Sequence, residues 1–138
     1  MYIRGSTVVI LAIVLVVIIK LHLMHKPMHV GVHYIVDVDN VPGELIHDHQ
    51  ALLRICEGAL QYSESNVLNK MMHEFKPQGM TIIYLLAESH FSMHTWPEHK
   101  KIRMDFFSCT NESQCTKACE YLKRAFGNAR VSVKKLYR

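Results

Sequence analysis

The stretch TIIYLLAESHFSMHTWPE, residues 81–98, decides how the chain is read. Its first half, TIIYLLAE (81–88), is rich in β-branched and apolar residues over a length that suits a buried strand. Glu88, Ser89 and His90 then fall where that strand ends. FSMHTW (91–96) is a second extended run, broken by Pro97, and IRMDFFSC (102–109) is a third.

Outward from this centre the elements continue in the same register. VHYIVDV (32–38) reads as a strand, and DNVPGE supplies Asp, Asn, Pro and Gly for the turn that follows. From Glu44 to Tyr62, Leu45, Leu52, Leu53, Cys56, Ala59 and Leu60 fall on one side of a helix. Asn66–Phe75 is expected to be a strand, with a reversal at KPQG (76–79). Glu112–Phe126 is expected to be a second amphipathic helix, and ARVSVKKLY (129–137) a closing strand. Strand, helix, several strands, helix, strand predicts an α+β fold. It is expected to be a two-layer sandwich, with two helices on one face of a mostly antiparallel sheet.

The N-terminus differs in kind. Thr7 to Ile19 reads TVVILAIVLVVII, and beyond Lys20 the apolar character continues through Leu21, Leu23 and Met24. Residues 1–26 are therefore expected to form a hydrophobic helix that anchors the chain in a membrane through residues 7–24, and 27–138 a separate domain. Arg4 precedes the segment while Lys20 and Lys26 follow it, which favours a cytoplasmic domain.

Composition limits the function. The net charge of +4 is modest, and the C-terminal basic residues lack the interleaved aromatics of a nucleic-acid surface. No C-x-x-C pair occurs. Cys115 and Cys119, four apart, read as small packing residues of one helix face, and His47 and His49 as a solvated loop, so no metal site is expected. Ser89, His94 and Cys109 offer a nucleophile, a proton carrier and a thiol. Spacing alone does not distinguish this set from ordinary strand-end polarity.

The motifs HEFKPQG, AESHFSMHTWPE and MDFFSC, in this order and spacing, resemble the prokaryotic pyruvoyl-dependent S-adenosylmethionine decarboxylases. The resemblance spans roughly residues 30 to 137. It implies a proenzyme that cuts itself between Glu88 and Ser89, giving chains 1–88 and 89–138, with Ser89 becoming a pyruvoyl group that forms a Schiff base with substrate. It further implies that His94 moves protons during processing and that Cys109 donates a proton to the decarboxylated carbon. Phe75 would stack on the substrate's adenine and Glu98 would bind its ribose. Thr81 stands where the family usually carries a serine that supports processing; the hydroxyl is kept. His33 occupies a familiar position to which the resemblance attaches no role.

The implied substrate is S-adenosylmethionine, whose decarboxylated form donates aminopropyl groups for spermidine, and the implied assembly is a homodimer. Two alternatives remain open from the sequence. One is a pyruvoyl-dependent ornithine or arginine decarboxylase; the other is an unprocessed, membrane-tethered binding homologue.

Overall fold

A computed structural model describes residues 5–24, 29–110 and 112–138, with side chains of the first helix described over 8–20. The elements are α1 (Gly5–Met24), β1 (Val32–Asp39), α2 (Gly43–His47), α3 (His49–Tyr62), β2 (Val67–Glu74), β3 (Met80–Leu86) and β4 (Ser89–Trp96). A 3-10 turn (Pro97–His99) leads to β5 (Lys101–Ser108), α4 (Glu112–Ala125) and β6 (Arg130–Tyr137).

The strands form one sheet in the order β2-β3-β4-β5-β1-β6. Every neighbouring pair is antiparallel. Period-two alternation decides which face is dry. Val32, Tyr34, Val36 and Val38 of β1 are buried, together with Met80, Ile82, Tyr84 and Leu86 of β3. Phe91 and Met93 of β4 and Ile102, Met104 and Phe106 of β5 complete this face. They share one core with Leu52, Cys56, Ala59 and Leu60 of α3 and Cys115, Ala118, Cys119 and Leu122 of α4. Desolvation in that core pushes the Cys115 and Cys119 thiols up to about 12, as fits inert packing residues.

The α+β expectation holds, with three local corrections. The long helix expected from Glu44 to Tyr62 is two helices, because Asp48 leaves helical geometry at ψ 86° and accepts a hydrogen bond from the Ala51 N–H at 2.8 Å. That N-cap starts α3 anew. His47 and His49 flank this break and are not in a loop. His47 ends α2 with Nδ1 2.8 Å from the Gly43 carbonyl, and His49 opens α3 with Nδ1 2.8 Å from Glu74 Oε1.

The strand expected over 81–88 stops at Leu86, and it is buried on one face only: Ile83 and Leu85 lie exposed on the side that carries no helix. A continuous apolar run does not reveal that half of it faces outward.

The N-terminal expectation is met in part. α1 is a 20-residue helix, and its side chains from Val8 to Lys20 are exposed. Among the described residues, however, no helix is long and apolar enough to cross a membrane.

Candidate active site

Ala87 and Glu88 form the two-residue turn that joins β3 to β4, with Leu86 paired to Ser89 across it. The turn is tied down at both residues. The Ala87 N–H donates to the Asn66 carbonyl at 2.9 Å, and the Glu88 carbonyl accepts from the Cys109 N–H at 3.1 Å. On its other side Ser89 pairs with Ser108, the last residue of β5. Cys109 thus follows directly from the strand that flanks Ser89, and this register explains how two residues distant in sequence meet.

The Glu88–Ser89 bond is therefore held with its carbonyl oxygen on a fixed N–H donor. Charge that develops on that oxygen during attack on the carbonyl carbon meets a donor already in place. The Ser89 hydroxyl lies 3.2 Å from His90 Nδ1. Cys109 is exposed, and with His29, Gly31, Val32, Ser108, Thr110, Glu112 and Tyr137 it lines a cavity of about 170 Å³. Lys135, hydrogen-bonded to Glu112 at 2.7 Å, holds the Glu112 carboxyl below its ordinary range, helped by Tyr34 and Tyr137.

The other candidates gather at the opposite end of β3 and β4. Thr81 and His94 are register partners, and Thr81 Oγ1 stands 2.8 Å from His94 Nδ1. Phe75, Gln78, Gly79, Thr95, Trp96 and Glu98 join them around a cavity of about 330 Å³. The reversal at 76–79 is closed by the Phe75 N–H on the Gly79 carbonyl at 2.9 Å. Gly79 has φ +100°, and a Cβ there would lie 3.2 Å from the Thr95 carbonyl oxygen, so glycine suits both the turn and the close approach.

Phe75 is 51% exposed, and its ring stands near-perpendicular to that of His73 with centroids 4.7 Å apart. Glu98 Oε2 accepts from Gln78 Nε2 at 3.4 Å and stands at the rim of the same cavity.

The structure divides the candidates into two groups. Glu88, Ser89 and Cys109 are together, as are Thr81, His94, Phe75 and Glu98, but the groups occupy opposite ends of β4. From Ser89 to His94 the strand advances about 16 Å at its usual rise. A side chain does not bridge that gap within one chain.

Sequence reasoning left two neighbours of Ser89 without roles. His90 touches the Ser89 hydroxyl, and His33, from β1, sits edge-on to His90 with ring centroids 6.5 Å apart. His33 Nε2 is in turn 3.0 Å from Asp105 Oδ1. This proximity comes from the pairing of β4, β5 and β1, with Phe107 beneath both rings at 5.8 and 5.9 Å. The alternation of β1 put His33 on the open face; only the strand order puts it beside Ser89.

Comparison with known proteins agrees with this geometry. Residues 32–138 match the family model described as S-adenosylmethionine decarboxylase. A proenzyme of that name from Thermoplasma volcanium is 36% identical over 109 residues, covering 79% of this chain and 84% of that protein. One from a Sulfurihydrogenibium species is 35% identical over 104 residues, covering 75% and 78%. The crystal structure of the adenosylmethionine decarboxylase from Aquifex aeolicus superposes with a TM-score of 0.73 at 29% identity, covering 80% of this chain and 91% of that one. With its whole six-stranded sheet inside the matched region, the chain belongs to the S-adenosylmethionine decarboxylase family.

Proposed function

We propose that this chain is made as a proenzyme, cuts itself between Glu88 and Ser89, and decarboxylates S-adenosylmethionine to the aminopropyl donor used for spermidine. The observation that carries this reading is the Glu88 carbonyl, held by the Cys109 N–H beside the Ser89 hydroxyl. Serine can add to the carbonyl preceding it and later lose its β-oxygen by elimination, so the residue needed to build a pyruvoyl cap stands at the bond to be cut. Once formed, that group supplies an electron sink for loss of carbon dioxide.

The chain's own residues divide the remaining work. Cys109 Sγ, exposed beside the cut, holds the proton that the decarboxylated carbon requires. Phe75 offers a ring face to the adenine, and Glu98 offers carboxylate oxygens to the ribose hydroxyls. His94, bonded to Thr81, serves the elimination step of processing.

The separation of the two groups supports a homodimer. The helix-free face of the sheet exposes Met71, Ile83 and Leu85, and stacked sheets pack about 10 Å apart. A two-fold axis between two such faces, perpendicular to β4, would bring the Thr81–His94 end of one copy over the Ser89–Cys109 end of the other. Each site would then be built from both copies.

The apolar side chains of α1, exposed from Val8 to Ile19, support attachment of the chain to a membrane through residues 7–24. The basic residues after the segment support a catalytic domain on the cytoplasmic side.

Intact-mass measurement of the purified protein beside Ser89→Ala tests the maturation. Two chains dividing at Glu88/Ser89, with a pyruvoyl cap on the second and no cut in the variant, are expected. Release of labelled carbon dioxide from S-adenosylmethionine, set against ornithine and arginine, tests the substrate. A single uncut chain would leave a binding homologue as the reading, and release from ornithine or arginine alone would reassign the substrate. Co-sedimentation with vesicles, with and without residues 1–26, tests the attachment.

A further inference from the structure

Self-cleavage begins with transfer of an acyl group from nitrogen to oxygen, and the serine hydroxyl must lose its proton as it attacks. A base within hydrogen-bond reach of Oγ is needed for this step. Within the same chain His94 is hydrogen-bonded to Thr81 about 16 Å along the strand from Ser89. The ring that touches Ser89 Oγ is His90, with Nδ1 at 3.2 Å.

We propose that His90 is the base for the first step of cleavage, a role separate from that of His94 in the elimination that follows. This inference rests on the self-processing described above. The Ser89 Oγ–H donates to His90 Nδ1 in the tautomer that carries its proton on Nε2. As Oγ bonds to the Glu88 carbonyl carbon, Nδ1 takes the hydroxyl proton, and the Cys109 N–H meets the charge that forms on the Glu88 oxygen. Collapse breaks the bond between that carbon and the Ser89 nitrogen, and the proton passes from His90 to the departing nitrogen. One bond forms, one breaks, and the proton ends on the new amine, so the step needs no other reactant.

The surroundings of His90 fix its ring for this work. Phe107 packs beside it at 5.9 Å between centroids, and His33 stands edge-on at 6.5 Å. Asp105 holds His33 through Nε2 at 3.0 Å. His33 is thus a positioning residue that acts on Ser89 through His90.

The test follows cleavage by intact mass in wild type, Ser89→Ala, His90→Asn and His90→Ala, with and without hydroxylamine, which cuts an ester and spares an amide. Asparagine keeps an oxygen that accepts a hydrogen bond from Ser89 but does not take its proton, so a merely structural role survives His90→Asn. Both His90 variants are expected to cleave about 100-fold more slowly or worse. They should yield no hydroxylamine-sensitive chain, and added imidazole should restore part of the rate in His90→Ala. Cleavage of His90→Asn at the wild-type rate would overturn the proposal. So would accumulation of a hydroxylamine-sensitive ester in either variant, since the acyl shift would then proceed without His90. Failure of the wild type itself to cleave has a different signature and overturns self-processing as a whole.

Discussion

Thr81 Oγ1 and His94 Nδ1 lie 2.8 Å apart across the β3–β4 ladder, so the hydroxyl orients the ring. Thr81→Val removes that bond while keeping the shape. A hydrogen bond contributes about 0.5–1.5 kcal/mol, so appearance of the capped chain should slow by about 2- to 12-fold. Thr81→Ser keeps the hydroxyl and should cleave within about twofold of wild type. A mass-spectrometric time course checks both, and equal rates for Val and Ser would remove Thr81 from the processing machinery.

Cys109 presents two separable groups on one residue. Its backbone N–H holds the Glu88 carbonyl, while its exposed thiol faces the cavity by the cut. Cys109→Ala keeps the N–H and loses the thiol. Cleavage should continue, and release of carbon dioxide should fall by about 10²- to 10⁴-fold, the range for loss of a general acid.

Phe75 and Glu98 line the cavity beside Thr81 and His94 without a part in the proposed cleavage chemistry, so their replacement should leave maturation unchanged. Phe75→Ala removes a stacking face worth about 0.5–1.5 kcal/mol, and should raise KM by about 2- to 12-fold. Because the ring is half exposed, thermal stability should barely move. Glu98→Gln should also raise KM. Steady-state kinetics on the processed enzyme reads both effects.

Asp39 accepts from Arg103 Nη2 and Arg130 Nη2, each at 3.0 Å, and these hydrogen bonds hold its carboxyl below the ordinary aspartate range. A depressed folded-state value contributes stability above the unfolded value, lost as pH falls through the folded one. Thermal midpoints should therefore decline on the acid side as this carboxylate is protonated. Asp39→Asn should lower the midpoint at neutral pH and flatten the acid limb; an unchanged slope would assign that limb to other carboxylates.

Most of the architecture was legible because its signals are local. The polar turn at DNVPGE, the amphipathic spacing of Cys56, Ala59 and Leu60, and the alternation of Val131 and Val133 each follow from a period or a turn residue. The break at Asp48 was missed because apolar spacing runs on across it, and only the side-chain cap restarts the helix. The one-sided burial of Ile82, Ile83 and Tyr84 was hidden because apolar residues also face outward there. The site was named through resemblance, not through its geometry. Contacts such as His33 with His90 depend on β1 lying two strands from β4, an order that no single segment encodes.

That same order has a consequence for the molecule after it is cut. The break proposed at Glu88 would leave β1, β2 and β3 on one polypeptide and β4, β5 and β6 on the other, yet β1 is inserted between β5 and β6. The two products are interlaced like clasped fingers. Three antiparallel ladders, β3 with β4, β5 with β1 and β1 with β6, would have to open together before they could part. Such a nick would change the chemistry of one residue without loosening the body around it. Its penalty falls on renewal: a cut molecule that unfolds must find its other half by diffusion, with the loop that once joined them gone.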